Sequence, residues 1–204
     1  MTTETTEPSL RWTRLAEAAA FAFALHADQR RKGTTIPYIA HLMSVAALVL
    51  EHGGDEEQAI AGLLHDAIED MGAEQEDIIK KRFGLGVAAI VRAYTDADAI
   101  PKPPWRERKR QYIEHLEQVG DDVLLVSACD KLHNARAIVS DLKTHGPLVF
   151  ARFAGDRDGT LWYYSTLAEV FSRRLPGPLA SELSTTVHEM QASASLAPAR
   201  VQFR

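Results

Sequence analysis

Four ionisable side chains lie close together in the middle of the chain, where His65, Asp66, Glu69 and Asp70 directly follow an apolar run. In a continuous helix, residues four apart share a face, so His65 would lie beneath Glu69 and Asp66 beneath Asp70. A single buried histidine or carboxylate is usually satisfied by a structural partner. Three carboxylates beside a buried segment, however, repel one another unless a cation neutralises them. The cluster therefore predicts a divalent-metal site.

One helix cannot enclose a cation, because adjacent residues such as His65 and Asp66 point about 100° apart. Two residues elsewhere could complete the site. His41 lies near the start of the next apolar helix upstream, and Asp130 lies in the middle of a long apolar one, in ACDKLHNAR. An aspartate in an apolar helix is costly without a partner. We therefore predict His41, His65, Asp66 and Asp130 as metal ligands; His133 is nearby, but its direction sets it apart from this group.

The ligand types indicate the chemistry. Two imidazoles and two carboxylates suit Mn²⁺, Fe²⁺ or Zn²⁺ with positions left for water. Since no thiolate is among them, the site favours hydrolysis over a closed structural role. Such a metal acidifies bound water and polarises a phosphoryl oxygen. Glu69 and Asp70, one turn from the ligands, are the candidates to orient or deprotonate that water.

The elements that carry these residues are all predicted to be helical. Apolar positions recur at helical spacing, and no alternation of strands with helices is evident. The fold class is therefore all-α, with roughly eight to ten helices. The helices are expected at about 10–29, 38–52, 55–70, 74–83, 84–95, in the stretch before Gly120, and at 121–142, 159–174 and 179–192. We predict a flexible N-terminus at 1–8, a single domain at 9–192 and a loose tail at 193–204.

Composition excludes several function classes. The net charge of −5 argues against a general nucleic-acid binder. Cys129 is the only cysteine, so neither an internal disulfide nor an all-cysteine metal site can form. The apolar stretches are short and interrupted, and the first residues lack the pattern of a signal peptide. We expect a cytoplasmic protein with no membrane or nucleic-acid partner, whose oligomeric state the sequence leaves open.

The order of these motifs resembles the HD-domain superfamily of metal-dependent phosphohydrolases. In particular, QRRKGTTIPYIAH, LLHDAIED and CDKLHNAR are similar to the hydrolase domains of RelA/SpoT-type proteins. The order and spacing agree from about Ala18 to Ile138. Because a synthetase domain is absent, the chain looks most like the stand-alone small alarmone hydrolases, of the metazoan SpoT homologue type. The resemblance implies an HD-domain helical bundle.

The resemblance also implies a reaction: Mn²⁺-dependent removal of pyrophosphate from the 3′ position of ppGpp or pppGpp, giving GDP or GTP. It assigns one metal ion to the four predicted ligands and catalysis to Glu69 and Asp70. Substrate contacts then fall to Arg31 and Lys32 in the basic loop, to Asn134, and to Tyr164 in a later helix, so the implied partner is a small nucleotide.

Two departures from the family pattern concern the part of the site that is expected to contact the nucleobase of the substrate. The loop between Lys32 and Pro37 is one residue longer, and Met71 stands where the family has threonine. Other nucleotides therefore remain alternatives: a ppApp-type alarmone or the 2′-phosphate of NADPH. A non-catalytic nucleotide-binding module is a further alternative. A second basic cluster at 106–110 is either part of the pocket mouth or a solvated helix face.

Overall fold

The computed structural model describes residues 12–94 and 103–195, and these form ten α-helices and one 3₁₀ helix. No β-strand occurs in this part of the chain, which confirms the all-α prediction. In chain order the helices are α1 Thr13–Leu25, α2 Ile39–Glu51, α3 Glu56–Leu64, α4 Ala67–Met71, α5 Gln75–Phe83, α6 Leu85–Tyr94, α7 Trp105–Leu116, α8 Asp121–His145, the 3₁₀ helix Gly146–Arg152, α9 Asp156–Arg174 and α10 Pro178–Ser195.

The first helix ends four residues before the predicted position. Beyond Leu25 the chain turns and enters a small loop, closed by an antiparallel bridge between Arg30 and Pro37. The Arg31 amide donates to the carbonyl of Ile36 at 2.9 Å, so the basic residues sit on a closed loop instead of a helix end. Gly33 has a φ of 72°, a conformation that glycine adopts without strain.

The helix predicted across the ionisable cluster is interrupted. Asp55 caps α3 as expected, in a reciprocal pair of hydrogen bonds with Gln58. The regular helix stops at Leu64, and α4 resumes at Ala67, with Asp66 at a φ of −95° and a ψ of −1°. His65 and Asp66 therefore occupy a turn between two helices. The expectation of one continuous helix across the cluster was wrong.

The 25-residue helix α8 is the centre of the packing. It contacts α2, α3, α9 and α10, and its apolar positions are buried along its length. Leu124 and Leu132 are fully buried there, and each such side chain contributes about 1.5–3 kcal/mol through removal from water. Because α2 and α3 also pack together and against α8, residues on all three helices can meet at one point.

The C-terminal helix is longer than predicted. α10 runs to Ser195, so residues 193–195 belong to it and not to a loose tail. The predicted flexible N-terminus at 1–8 and residues 196–204 lie outside the described residues, and the predicted domain limits stay a prediction. Among the described helices, none is both long and apolar enough to cross a membrane.

Candidate metal centre

The four predicted ligands converge from three elements. His41 comes from the first turn of α2, His65 and Asp66 from the turn between α3 and α4, and Asp130 from the middle of α8. The ligand atoms of His41, His65 and Asp66 all lie within 4.8 Å of one another. Asp130 Oδ1 adjoins this group, at 3.1 Å from His41 Nε2 and 3.7 Å from His65 Nε2.

Two adjacent residues contribute to the same group at the turn between α3 and α4. Helical geometry alone points neighbouring side chains about 100° apart. In the structure, His65 Nε2 and Asp66 Oδ2 nevertheless lie 2.9 Å apart, so both side chains reach the group.

Both imidazoles are oriented by their second nitrogen. His65 Nδ1 lies 2.8 Å from the carbonyl oxygen of Gly62, so this nitrogen donates and Nε2 is the nitrogen that faces the other predicted ligands. His41 Nδ1 lies 2.8 Å from His133 Nδ1. The sequence interpretation set His133 apart because of its direction; in the structure it supports His41 from behind.

The carboxylates are held just as firmly. Asp66 Oδ2 accepts a hydrogen bond from the Tyr38 hydroxyl at 2.5 Å. Asp130 Oδ2 accepts from Lys131 Nζ at 2.6 Å and from the Tyr94 hydroxyl, while its Oδ1 accepts from Asn134 Nδ2 at 2.6 Å. The carboxylate oxygens that could bind a metal are thus positioned in advance by neighbouring side chains, as in metal sites generally.

The electrostatics favour a cation at this point. Burial disfavours the charge of Asp66, but His65 outweighs burial and holds the pKa of Asp66 well below its usual value. Burial likewise opposes the charge on Asp130, yet Lys131 and the histidines hold its pKa well below the usual value too. Burial alone would lower the pKa of His65, but the two aspartates raise it to about 9. His41, where burial dominates, has a lowered pKa.

Two carboxyl groups with lowered pKa values therefore share a buried space with two imidazoles, and the raised pKa of His65 indicates that a positive charge is favoured among them. A divalent metal provides that positive charge without a proton, and it needs deprotonated carboxylates and neutral imidazoles as ligands. The donor set fits a hard or borderline metal ion with nitrogen and oxygen ligands.

The two residues predicted as the catalytic pair have different surroundings. Glu69 lines a cavity of about 130 Å³ together with Asp66 and Asp130. Asp70 is exposed, and its Oδ2 accepts a hydrogen bond from Gln29 Nε2 at 2.7 Å. Although much of the side chain contacts solvent, desolvation of its carboxyl group by the surrounding atoms raises the pKa of Asp70. Only Glu69 of the two is in the lining of this cavity, and the contact of Asp70 with Gln29 was not anticipated from the sequence.

The predicted substrate contacts share a second, larger pocket of about 550 Å³. Arg31, Lys32, Asn134 and Tyr164 all line it, as does His41. Arg31 donates to Asn134 Oδ1 at 2.8 Å, and Asn134 donates in turn to Asp130. The basic loop is thereby linked through one amide to the predicted metal ligands, and the pocket opens beside them.

Several polar residues at the site were missed by the sequence interpretation. Tyr38 and Lys131 lie close in sequence to the candidate ligands His41 and Asp130, but no pattern distinguished them from ordinary helix residues. Tyr94, Tyr112 and Tyr163 come from elements far apart in the chain and meet only through packing. With Lys131 and Lys109 they form one wall of the smaller cavity. Lys109 belongs to the basic cluster at 106–110, for which the sequence left both a pocket and a solvated helix face open.

Comparison with known proteins agrees with this geometry. A family model described as an HD domain matches residues 18–161, which is more than half of the chain. The chain belongs to the HD-domain family. The matched segment contains all four residues of the candidate metal centre.

Comparison with individual relatives indicates which members of the family the chain is similar to. The chain is 40% identical over 136 residues to the guanosine-3′,5′-bis(diphosphate) 3′-pyrophosphohydrolase MESH1 of Xenopus tropicalis, covering 65% of this chain and 72% of that protein. It is 35% identical over 145 residues to the protein of the same name from Drosophila melanogaster, covering 70% and 75%. A solved structure, described as a metazoan ortholog of SpoT that hydrolyzes ppGpp, aligns with a TM-score of 0.70 at 27% identity, covering 94% of this chain and 99% of that one.

Proposed function

We propose that this chain is a metal-dependent hydrolase that removes pyrophosphate from the 3′ position of ppGpp-type nucleotides. One observation carries the proposal: the group of His41, His65 and Asp66, which could hold a metal, together with the adjoining Asp130, borders a pocket lined by Arg31, Lys32 and Asn134. The group that can hold a metal therefore lies directly beside a basic pocket, and this pocket is large enough for a nucleotide. The relatives named as 3′-pyrophosphohydrolases support the choice of substrate.

The reaction needs water, a proton acceptor and charge neutralisation. The oxygen of water attacks the phosphorus bonded to ribose O3′, the P–O3′ bond breaks, and O3′ takes up a proton; GDP or GTP and pyrophosphate leave. Glu69, in the lining of the smaller cavity, is the group to accept the proton from water. Arg31 and Lys32 offset the negative charge of the nucleotide, and Asn134 contacts its ribose side.

The metal supplies a Lewis acid that lowers the pKa of a water and neutralises phosphoryl charge. We propose one Mn²⁺ ion, which nitrogen and oxygen donors of this kind accommodate. The ligand assignment is tested by metal content. In Asp66→Ala, bound metal should fall sharply, because Asp66 contributes both an oxygen ligand and a negative charge. Metal content equal to that of wild type would remove Asp66 from the site.

The substrate is tested by product analysis. The Mn²⁺-loaded protein is incubated with ppGpp, pppGpp, ppApp and NADPH, and released pyrophosphate and phosphate are measured separately. Pyrophosphate from the guanosine compounds is the expected result. Activity only on ppApp or NADPH would keep the hydrolytic site and change the substrate. A metal-loaded protein inactive on all four would favour the non-catalytic nucleotide-binding module.

The role of Glu69 is tested by Glu69→Gln, which keeps the size of the side chain and removes its basicity. We expect a loss of about 10²–10⁴-fold in kcat with the metal retained, the usual contribution of a general base. Glu76→Gln is the matched control, since Glu76 pairs with Arg92 at the surface and lines neither cavity of the site; its activity should equal that of wild type. Full activity in Glu69→Gln would exclude this residue from the mechanism.

The remaining expectations from the sequence belong to the same proposal. These are a catalytic contribution from Asp70, a substrate contact from Tyr164, a cytoplasmic location, and a nucleotide as the partner in place of nucleic acid or membrane.

A further inference from the structure

The smaller cavity has a positive wall that the proposed function does not yet use. Beside the metal-ligating residues and Glu69, it is lined by Lys109, Lys131, Tyr112 and Tyr163. Its volume of about 130 Å³ is several times the roughly 30 Å³ that a water molecule occupies in the liquid. It therefore has room for a ligand group next to the metal site.

Lys131 is held rigidly in this wall. Its ammonium group donates to Asp130 Oδ2 at 2.6 Å and to the Tyr94 hydroxyl at 2.7 Å, which uses two of its three donors. The same group lies over the rings of Tyr94 and Tyr112, 4.9 Å from each centroid. A lysine fixed in this way presents its charge at a defined position and loses little conformational freedom when an anion binds.

Lys109 and Tyr163 complete the wall. Lys109 Nζ lies 5.5 Å from the centroid of the Tyr163 ring. The Tyr163 hydroxyl is buried, and it has no hydrogen-bond partner among residues 12–94 and 103–195. An unpaired buried hydroxyl is costly, so native structures seldom keep one without a reason. Next to two lysines in a cavity, this hydroxyl indicates a ligand that carries acceptor oxygens.

The position of Lys109 is set by packing between α7 and α9. A Cβ atom added to Gly155 or Gly159 would lie only 2.5 or 3.1 Å from the Trp105 ring, so these glycines form the notch that receives it. Because Trp105 begins α7 and Gly159 lies in the first turn of α9, this contact brings Lys109 and Tyr163 to the same cavity.

We propose that Lys109, Lys131 and Tyr163 bind the distal phosphate of the pyrophosphoryl group and so select pyrophosphate esters over single phosphate esters. This inference rests on the proposed function. The phosphate bonded to ribose lies at the metal-ligating residues, and the second phosphate extends toward the two lysines. The bond that breaks is still P–O3′. These residues therefore position the pyrophosphoryl group before the bond breaks and remain in contact with it until the product dissociates.

The test compares two inorganic probes, pyrophosphate and orthophosphate, by titration calorimetry with the Mn²⁺-loaded protein. The variant Lys109→Met removes one charge and keeps most of the aliphatic chain. We expect it to weaken pyrophosphate binding by about tenfold or more, which corresponds to about 1.4 kcal/mol, and to change orthophosphate binding less than twofold. Arg110→Met, which removes the same charge from an exposed neighbour on α7, should leave both affinities unchanged.

A second variant guards against misfolding of the first. Tyr163→Phe removes only the unpaired hydroxyl, so without ligand its thermal midpoint should equal or exceed that of wild type. It should weaken pyrophosphate binding by about threefold or more, and for ppGpp the loss should appear in KM more than in kcat. Pyrophosphate affinity unchanged in both variants, or equal losses for pyrophosphate and orthophosphate, would overturn the inference.

These outcomes are separable from the proposed function. A wild-type protein that hydrolyses ppGpp while both variants bind pyrophosphate normally would refute the subsite and keep the function. A protein inactive on every nucleotide of the panel, yet with pyrophosphate binding that depends on Lys109, would refute the function and keep the subsite.

Discussion

Replacing Asp130 with asparagine should destabilise the metal-free protein as well as abolish metal binding. Asp130 is only 2% exposed, and Lys131, bound to it at 2.6 Å, is 13% exposed. Asparagine keeps the shape of the side chain but removes its charge, and its amide group must point at least one N–H toward existing donors. The lysine is then left in a largely buried position without its counter-ion.

The expected magnitude follows from the burial of this pair. Breaking a buried ion pair by removing one partner costs about 3–5 kcal/mol. We expect about 3 kcal/mol, because two effects offset part of the loss. Lys131 keeps its contacts with the rings of Tyr94 and Tyr112, and the repulsion between Asp66 and Asp130 disappears. For a chain of this size, about 2–4 °C per kcal/mol gives a fall of about 6–12 °C in the thermal midpoint.

The assay is denaturant and thermal unfolding in the presence of a chelator. Asp141→Asn is the matched control: it lies on the same helix and pairs with Arg152 at 2.7 Å, but the two side chains are 34% and 25% exposed. Its loss should stay below about 1 kcal/mol, as for exposed pairs. If Asp130→Asn were as stable as Asp141→Asn, with equal denaturant slopes, the argument from burial would be wrong.

Three further predictions concern the metal, the basic loop and its link to the metal centre. Adding Mn²⁺ at about 1,000 times its dissociation constant should stabilise wild type by about 4.1 kcal/mol, raising the thermal midpoint by about 8–16 °C, and should leave Asp66→Ala unshifted; an equal rise in both would place the ion elsewhere. Gly33→Ala should cost about 1–2 kcal/mol and raise KM for ppGpp, because φ at Gly33 is 72° and the new Cβ would lie 2.9 Å from Arg152; an unchanged KM would separate the loop from substrate binding. Asn134→Ala should raise KM for ppGpp about tenfold with the metal retained, because it removes the hydrogen bonds to Arg31 and Asp130. If the variant lost the metal instead, Asn134 would only support Asp130.

Residue types and helical periodicity in the sequence were enough to predict the all-α fold and most of its helices. They also identified His41, His65, Asp66 and Asp130 as a group, because carboxylates and histidines next to buried apolar runs are costly without a common partner. The predicted helix at 121–142 appears as α8, three residues longer, and Asp55 caps α3 as expected. These features depend on local sequence, and so they could be read without knowledge of the packing.

The directions of the side chains, in contrast, depend on how the helices pack against one another. Helical spacing separates His65 from Asp66 by about 100°, yet at the turn between α3 and α4 their ligand atoms Nε2 and Oδ2 lie 2.9 Å apart. His133 supports His41 through a contact between α2 and α8. The unpaired hydroxyl of Tyr163 and its neighbour Lys109 meet because Trp105 docks α7 on α9. Such contacts join residues far apart in the chain, and their geometry is set by the packing of whole helices, which no local pattern encodes.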